Sequence, residues 1–230
     1  MKNDPVIIAL DFDSAQTADE LVSRLGDSAG FYKVGMELYA AAGMDYVRKL
    51  IGLGKKVFLD MKYYDIGETT KRAVAVAAQS GATFLTIHAV GQVMRAAREG
   101  RGDSPMKLLA VTVLTSFDQS DVKEAGYDCP LAELVRQRVS LAMDCGVDGL
   151  IGSPLEARAI RAQAGPEMIL VTPGVRSKGA SAGDQKRVAT PLEAVQNGAS
   201  YVVIGREVSR AADPAKALGA IHDELRAWNT

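Results

Sequence analysis

The 230-residue sequence predicts an α/β protein of the (β/α)8 barrel (TIM barrel) class, with residues 1–230 as a single domain. Two observations predict this. Short β-rich runs alternate with helical stretches from end to end, and about eight of them fit the length, the strand number of that barrel. No Pro/Gly/Ser linker, composition break or internal repeat divides the chain. A doubly wound open sheet is the structural alternative, because the same alternation serves both folds.

The candidate strands are Val6–Asp11, Phe31–Val34, Lys56–Met61, Phe84–His88, Lys107–Leu114, Gly149–Ile151, Met168–Thr172 and Tyr201–Ile204. Between them, apolar residues recur at helical spacing. Ile66, Ala73, Val74, Ala77 and Ala78 share one face, as do Leu134, Val135, Val139 and Ala142. Gly54, Gly81, Gly146 and Gly198 fall just before strands, where a helix must stop.

Composition removes several function classes. Lys plus Arg is 27 and Asp plus Glu is 28, for a net charge of −1, so no global field steers the chain to nucleic acid or an anionic membrane. Any anion must be held by a local site. No run approaches the ~18 apolar residues of a membrane span. Met1–Pro5 and the short apolar run after it do not read as a targeting signal. Cys129 and Cys145 lack metal-ligand spacing, and with two histidines, His88 and His222, no metal site is expected. Two reduced cysteines fit a cytoplasmic protein.

Active-site residues of such barrels lie at the carboxyl ends of the strands and in the loops that follow. The first strand ends in Asp11, the second contains Lys33, and the eighth ends in Gly205-Arg206. In the third, alternation puts Phe58, Asp60 and Lys62 inside the barrel and Leu59 and Met61 against the helices. Charges facing inward need partners or a ligand. A structural ion pair across one pleat answers that need as well as a catalytic role does; their place at the strand end favours function. Asp65 precedes a helix, where a cap is the plain role. Gly205 and Arg206 suit a phosphate dianion, although Arg206 alone could be a solvated loop residue. The long polar loop from Thr172 to Gln185 has the composition of a lid. G-x-G-x-x-G, G-x-x-x-x-G-K-[ST] and G-x-S-x-G do not occur, which weakens dinucleotide, nucleoside-triphosphate and hydrolase readings.

The run Leu59-Asp60-Met61-Lys62-Tyr63-Tyr64-Asp65-Ile66 resembles the D-x-K-x-x-D-I signature of the orotidine 5'-phosphate decarboxylase family. Further segments resemble that family in its order: Ile8–Asp11, Phe31–Glu37, Val111–Ser116, Val171–Arg176, Gly183–Arg187 and Ile204–Arg206. The resemblance covers essentially the whole chain. Gly67 departs from it where proline is expected, and Tyr64 where histidine is frequent.

The resemblance implies cofactor-free decarboxylation of orotidine 5'-phosphate to uridine 5'-phosphate, the last step of UMP biosynthesis. It implies a homodimer with shared active sites and no nucleic-acid or membrane partner. Lys33, Asp60, Lys62 and Asp65 would form a row of alternating charge, with Asp65 supplied by the neighbouring subunit. Asp11 would bind ribose, and Ile66 and Thr69 would reach the partner's nucleotide. Thr115 or Ser116 would contact the pyrimidine, and Gln185, Gly205, Arg206 and Arg176 the phosphate. Two rival readings share features with it. A magnesium-dependent sugar-phosphate decarboxylase or aldolase would carry an acidic ligand where Lys33 stands. A barrel that merely binds a phosphorylated metabolite would not need Asp60 and Lys62 together. His88 and His222 are read as structural.

Overall fold

Alternation along the strands sorts the apolar residues into two clusters, one inside a barrel and one between barrel and helices. The computed structural model describes residues 4–177 and 189–228. Eight parallel strands close in sequential order: β1 (Val6–Ala9), β2 (Phe31–Gly35), β3 (Lys56–Tyr63), β4 (Phe84–His88), β5 (Lys107–Val111), β6 (Gly149–Ile151), β7 (Ile169–Thr172) and β8 (Tyr201–Ile204). The closed barrel decides against the open sheet. Between strands lie α1 (Ala15–Leu25), α2 (Met36–Gly52, broken at Gly43), α3 (Gly67–Ala78), α4 (Gly91–Arg101), α5 (Gln119–Glu124), α6 (Leu131–Cys145), α7 (Ala157–Ala164) and α8 (Pro191–Gln196). After β8 come α9 (Arg206–Ser209) and α10 (Pro214–Trp228). Among the described residues, no helix is long and apolar enough to cross a membrane.

The strand register arranges the interior in layers drawn alternately from even and odd strands. The floor holds Phe31, Phe84 and Tyr201, whose ring centroids are 5.2 to 5.8 Å apart, with Gly149 as the fourth member. Gly149 is tightly enclosed: a Cβ there would fall 2.5 Å from the Ile169 carbonyl oxygen. Ile7, Phe58, Leu109 and Val171 form the second layer. Lys33, Thr86, Ile151 and Val203 form the third, where polar groups begin. Leu59, Leu85, Leu108, Leu150, Leu170 and Val202 face outward into the helix-covered cluster.

Elements match the sequence reading except at their ends. β1 stops at Ala9 and β5 at Val111, short of Asp11 and Leu114, because the mouth loops begin there. β3 runs on to Tyr63 through an irregularity: the β3–β4 register shifts between Leu59 and Tyr63, and Lys62 has φ 47°. The expected apolar face of α6 is buried as read. On α3, Val74 and Ala77 are buried, but Ile66 is not on that face; it precedes the helix and is 68% exposed, while Thr70 takes the buried position. Gly54, Gly81, Gly146 and Gly198 all adopt positive φ, as turns before strands require.

α3 and α4 approach so closely that a Cβ on Gly100 would lie 2.1 Å from the Lys71 carbonyl oxygen. Alanine normally favours a helix interior over glycine by roughly 0.5–1 kcal/mol. Here the obstacle is backbone that cannot swing aside, so overpacking dominates. Gly100→Ala is expected to destabilise the chain by about 1–3 kcal/mol. A thermal unfolding midpoint at or above that of the wild type would refute this.

Candidate active site

Strands β2 and β3 and the loop after β1 bring charged side chains to one point at the carboxyl end of the barrel. Asp60 of β3 lies between two ammonium groups: Lys62 Nζ is 2.9 Å from its Oδ1, and Lys33 Nζ of β2 is 3.8 Å from its Oδ2. Lys33 Nζ also donates to Asp11 Oδ1 at 2.7 Å. The Thr86 hydroxyl, from β4, donates to Asp60 Oδ1 at 3.0 Å. Lys33 is buried, and the Asp60 side chain is 16% exposed against 57% for Asp11. The row therefore runs from solvent into the barrel. Burial pushes the Asp60 carboxyl toward neutrality, but Lys33, Lys62 and the bonds from Lys62 and Thr86 outweigh it and hold the group below the usual carboxylate range.

A cavity of about 640 Å³ opens above this row. Asp11, Lys33, Asp60 and Lys62 line one side; Val111, Ile151, Val171 and Val203 line the other. Its rim carries Thr115, Ser116, Arg176, Gly205, Arg206 and Arg210. Arg176 stands at the start of the loop after β7, where its backbone N–H donates to the Ala189 carbonyl at 2.9 Å and closes the base of that loop. The Ser177 N–H donates to Glu207 Oε2 at 3.0 Å, tying the same base to α9.

Of the sequence-predicted residues, Asp11, Lys33, Asp60, Lys62, Thr115, Arg176, Gly205 and Arg206 share this cavity. Asp65, Ile66 and Thr69 are exposed and are not among its lining residues. Asp65 does not cap α3: its Oδ1 accepts from the next N–H, of Ile66, at 2.7 Å, and Ile66 holds the cap position. Gln185 and most of the expected lid lie outside the described residues. His88 packs against Tyr64 in a tilted arrangement with ring centroids 5.3 Å apart, and burial followed by the nearby Arg138 and Lys62 charges lowers its pKa. His222 is buried, its Nε2 3.1 Å from Asp4 Oδ2.

Sequence reasoning missed Thr86, Arg210 and the apolar wall. For Thr86 the signal was there: a lone hydroxyl at inward parity in the strand beside Asp60. Arg210 had none, since it enters the rim through the short α9 turn.

A family model described as "Orotidine 5'-phosphate decarboxylase / HUMPS family" matches residues 4–221. The chain belongs to that family. It is 52% identical over 224 residues to the orotidine 5'-phosphate decarboxylase of Rhodopseudomonas palustris strain ATCC BAA-98 / CGA009, covering 97% of this chain and 94% of the relative. It is 50% identical over 222 residues to that of Methylobacterium radiotolerans, covering 96% of each. The crystal structure of the Lactobacillus acidophilus orotidine 5'-phosphate decarboxylase superposes with a TM-score of 0.85 at 38% identity, over 96% of this chain and 98% of that one. Gly67, where the family's proline was expected, is the first residue of α3, a position where either residue is accommodated.

Because the Asp60 pKa lies below its ordinary value, the unfolded chain binds a proton before the folded one does as pH falls. The stabilisation tied to ionised Asp60 is thus complete above the ordinary value of 3.8 and declines below it. Urea unfolding of wild type and Asp60→Asn from pH 6 to 3 should give a constant difference above about pH 5 that moves against the wild type below about pH 4. A pH-independent difference would contradict the ionised pair.

Proposed function

We propose that the chain decarboxylates orotidine 5'-phosphate to uridine 5'-phosphate and CO2, completing UMP biosynthesis in the cytoplasm. The observation carrying this reading is Asp60 held ionised between Lys33 and Lys62 at the floor of a cavity whose rim bears Arg176 and Arg206. Relatives about half identical across nearly the whole chain bear that activity's name.

The reaction breaks the bond between C6 and the carboxylate, and the electron pair stays on C6. No cofactor delocalises it in the proposed scheme, so placed charge must stabilise it. Asp60 crowds the substrate carboxylate. The Lys62 ammonium faces the developing carbanion and donates its proton to C6, becoming a neutral amine that regains a proton from solvent. Asp11, held by Lys33, takes a ribose hydroxyl; Thr115 or Ser116 meets the pyrimidine. Arg206, the Gly205 backbone, Arg176 and Gln185 take the phosphate, whose binding energy is remote from the reacting carbon and available to drive closure.

The proposed active unit is a homodimer. Asp65, Ile66 and Thr69 do not line the cavity of their own chain, and Ile66 and the nearby Tyr64 are each 68% exposed. An apolar, outward-facing segment carrying a carboxylate suits a partner's cavity better than solvent. With Asp65 delivered from the partner, the row of alternating charge is complete. Against the metal-dependent alternative, the Lys33 ammonium already stands between Asp11 and Asp60, where a dication would be repelled.

Turnover of orotidine 5'-phosphate, followed by ultraviolet absorbance with chelator present, tests the activity; no decarboxylation, or loss on chelation, would overturn it. Lys62→Ala should lower turnover by at least a thousandfold, about 4 kcal/mol. Lys62→Ala and Asp65→Asn homodimers should both be nearly inactive, yet regain activity when reassorted, because each hybrid holds one site with Lys62 and Asp65 intact. Demonstrated subunit exchange without recovery would exclude a shared site.

A further inference from the structure

Thr86 is wholly buried in the third interior layer and is not among the residues lining the cavity. Its hydroxyl nevertheless makes two bonds into the charged row. It donates to Asp60 Oδ1 at 3.0 Å and accepts from the Lys62 backbone N–H at 2.9 Å. The second bond falls where the β3–β4 register shifts. Lys62 is the only non-glycine residue with positive φ among the described residues, a backbone state that persists only where neighbours hold it.

We infer that Thr86 is a positioning residue: one hydroxyl locks both the Asp60 carboxylate and the left-handed Lys62 backbone, so that both side chains are held in reacting geometry before substrate arrives. The inference rests on the proposed roles of Asp60 and Lys62 and adds a group that acts through them without touching substrate. The chemistry requires a hydroxyl, since a single atom must donate to one partner and accept from another. Valine has the right shape and neither capacity. Serine has both. Preorganised geometry is worth most in the step where charge develops, so its loss should appear in kcat more than in substrate affinity.

The test compares Thr86→Ser, Thr86→Ala and Thr86→Val in the full-length protein. Turnover and KM for orotidine 5'-phosphate are measured beside thermal unfolding. Ser and Ala variants lose the same methyl group and differ by the hydroxyl alone. The Ser variant is expected within about threefold of wild-type kcat, and the Ala and Val variants about 30-fold lower, equivalent to about 2 kcal/mol. KM should move by less than about threefold, because the ribose and phosphate contacts are untouched. Equal kcat for the Ser and Ala variants would overturn the inference. So would failure of both hydroxyl-free variants to fold, which would assign the hydroxyl to stability. Lys62→Ala assayed alongside separates this from the underlying reading. If Lys62→Ala is inactive while Thr86→Ala is fully active, only the positioning role falls; if Lys62→Ala is active, the charged-row mechanism falls.

Discussion

A carboxylate that keeps its charge among apolar side chains must be met by donors on every open side, since an isolated buried ion would cost several kcal/mol. Asp60 is met by Lys33, Lys62 and Thr86, which come from three adjacent strands. That requirement ties the mouth of the barrel to its register. Lys33 and Thr86 occupy the same interior layer, and Asp60 stands one layer above, between them. A slip of one residue in any of the three strands would turn its member of the group toward the helices. The site and the β2–β4 side of the fold are therefore one cooperative unit.

The opposite wall is built on a different rule. Val111, Ile151, Val171 and Val203 present no polar atoms to the cavity, and the aromatic floor below them seals the amino end. An apolar wall beside a charged one lowers the effective dielectric between them. A unit pair at 4 Å is worth about 4 kcal/mol at an effective dielectric of 20 and about 1 kcal/mol in water. Each 1.36 kcal/mol is tenfold in rate, so one such contact yields about a thousandfold, and several must act together. The guanidinium groups at the rim, Arg176, Arg206 and Arg210, extend the charge away from the row. With a net charge of −1, the chain concentrates positive potential locally and not over its surface.

The strands were legible because each is a short apolar run bounded by turn residues, and the interior was legible because parity alone separates Phe58 from Leu59. Asp60 and Lys62 were legible for the same reason. Parity misjudged the backbone between them: a regular pleat needs no left-handed residue, and nothing local in Asp60-Met61-Lys62 announces one. Asp65 and Ile66 show the other limit. Helical spacing placed Ile66 on a buried face and the plain reading made Asp65 a cap, yet neither position obeys the helix, because the segment runs outward from the barrel before α3 begins. The proposed dimer gives that exposure a reason which periodicity could not. Thr86 was passed over because a hydroxyl in an apolar strand carries no chemistry until its neighbours are known.

The irregularity at Lys62 links these two halves of the site. A residue with φ 47° costs of order 1–3 kcal/mol and persists only where its surroundings determine it. Here the cost is offset by the Thr86 bond to its N–H and by the ion pair of its side chain with Asp60. Past the distortion Tyr63 pairs with Ile87, and the following residues, Tyr64 to Thr69, do not line the cavity. Lys62, within this irregularity, lines the cavity, and Asp65, beyond it, does not. In the proposed dimer, the residue at that break is the proton donor for its own subunit's substrate, and the carboxylate three residues on serves the partner's.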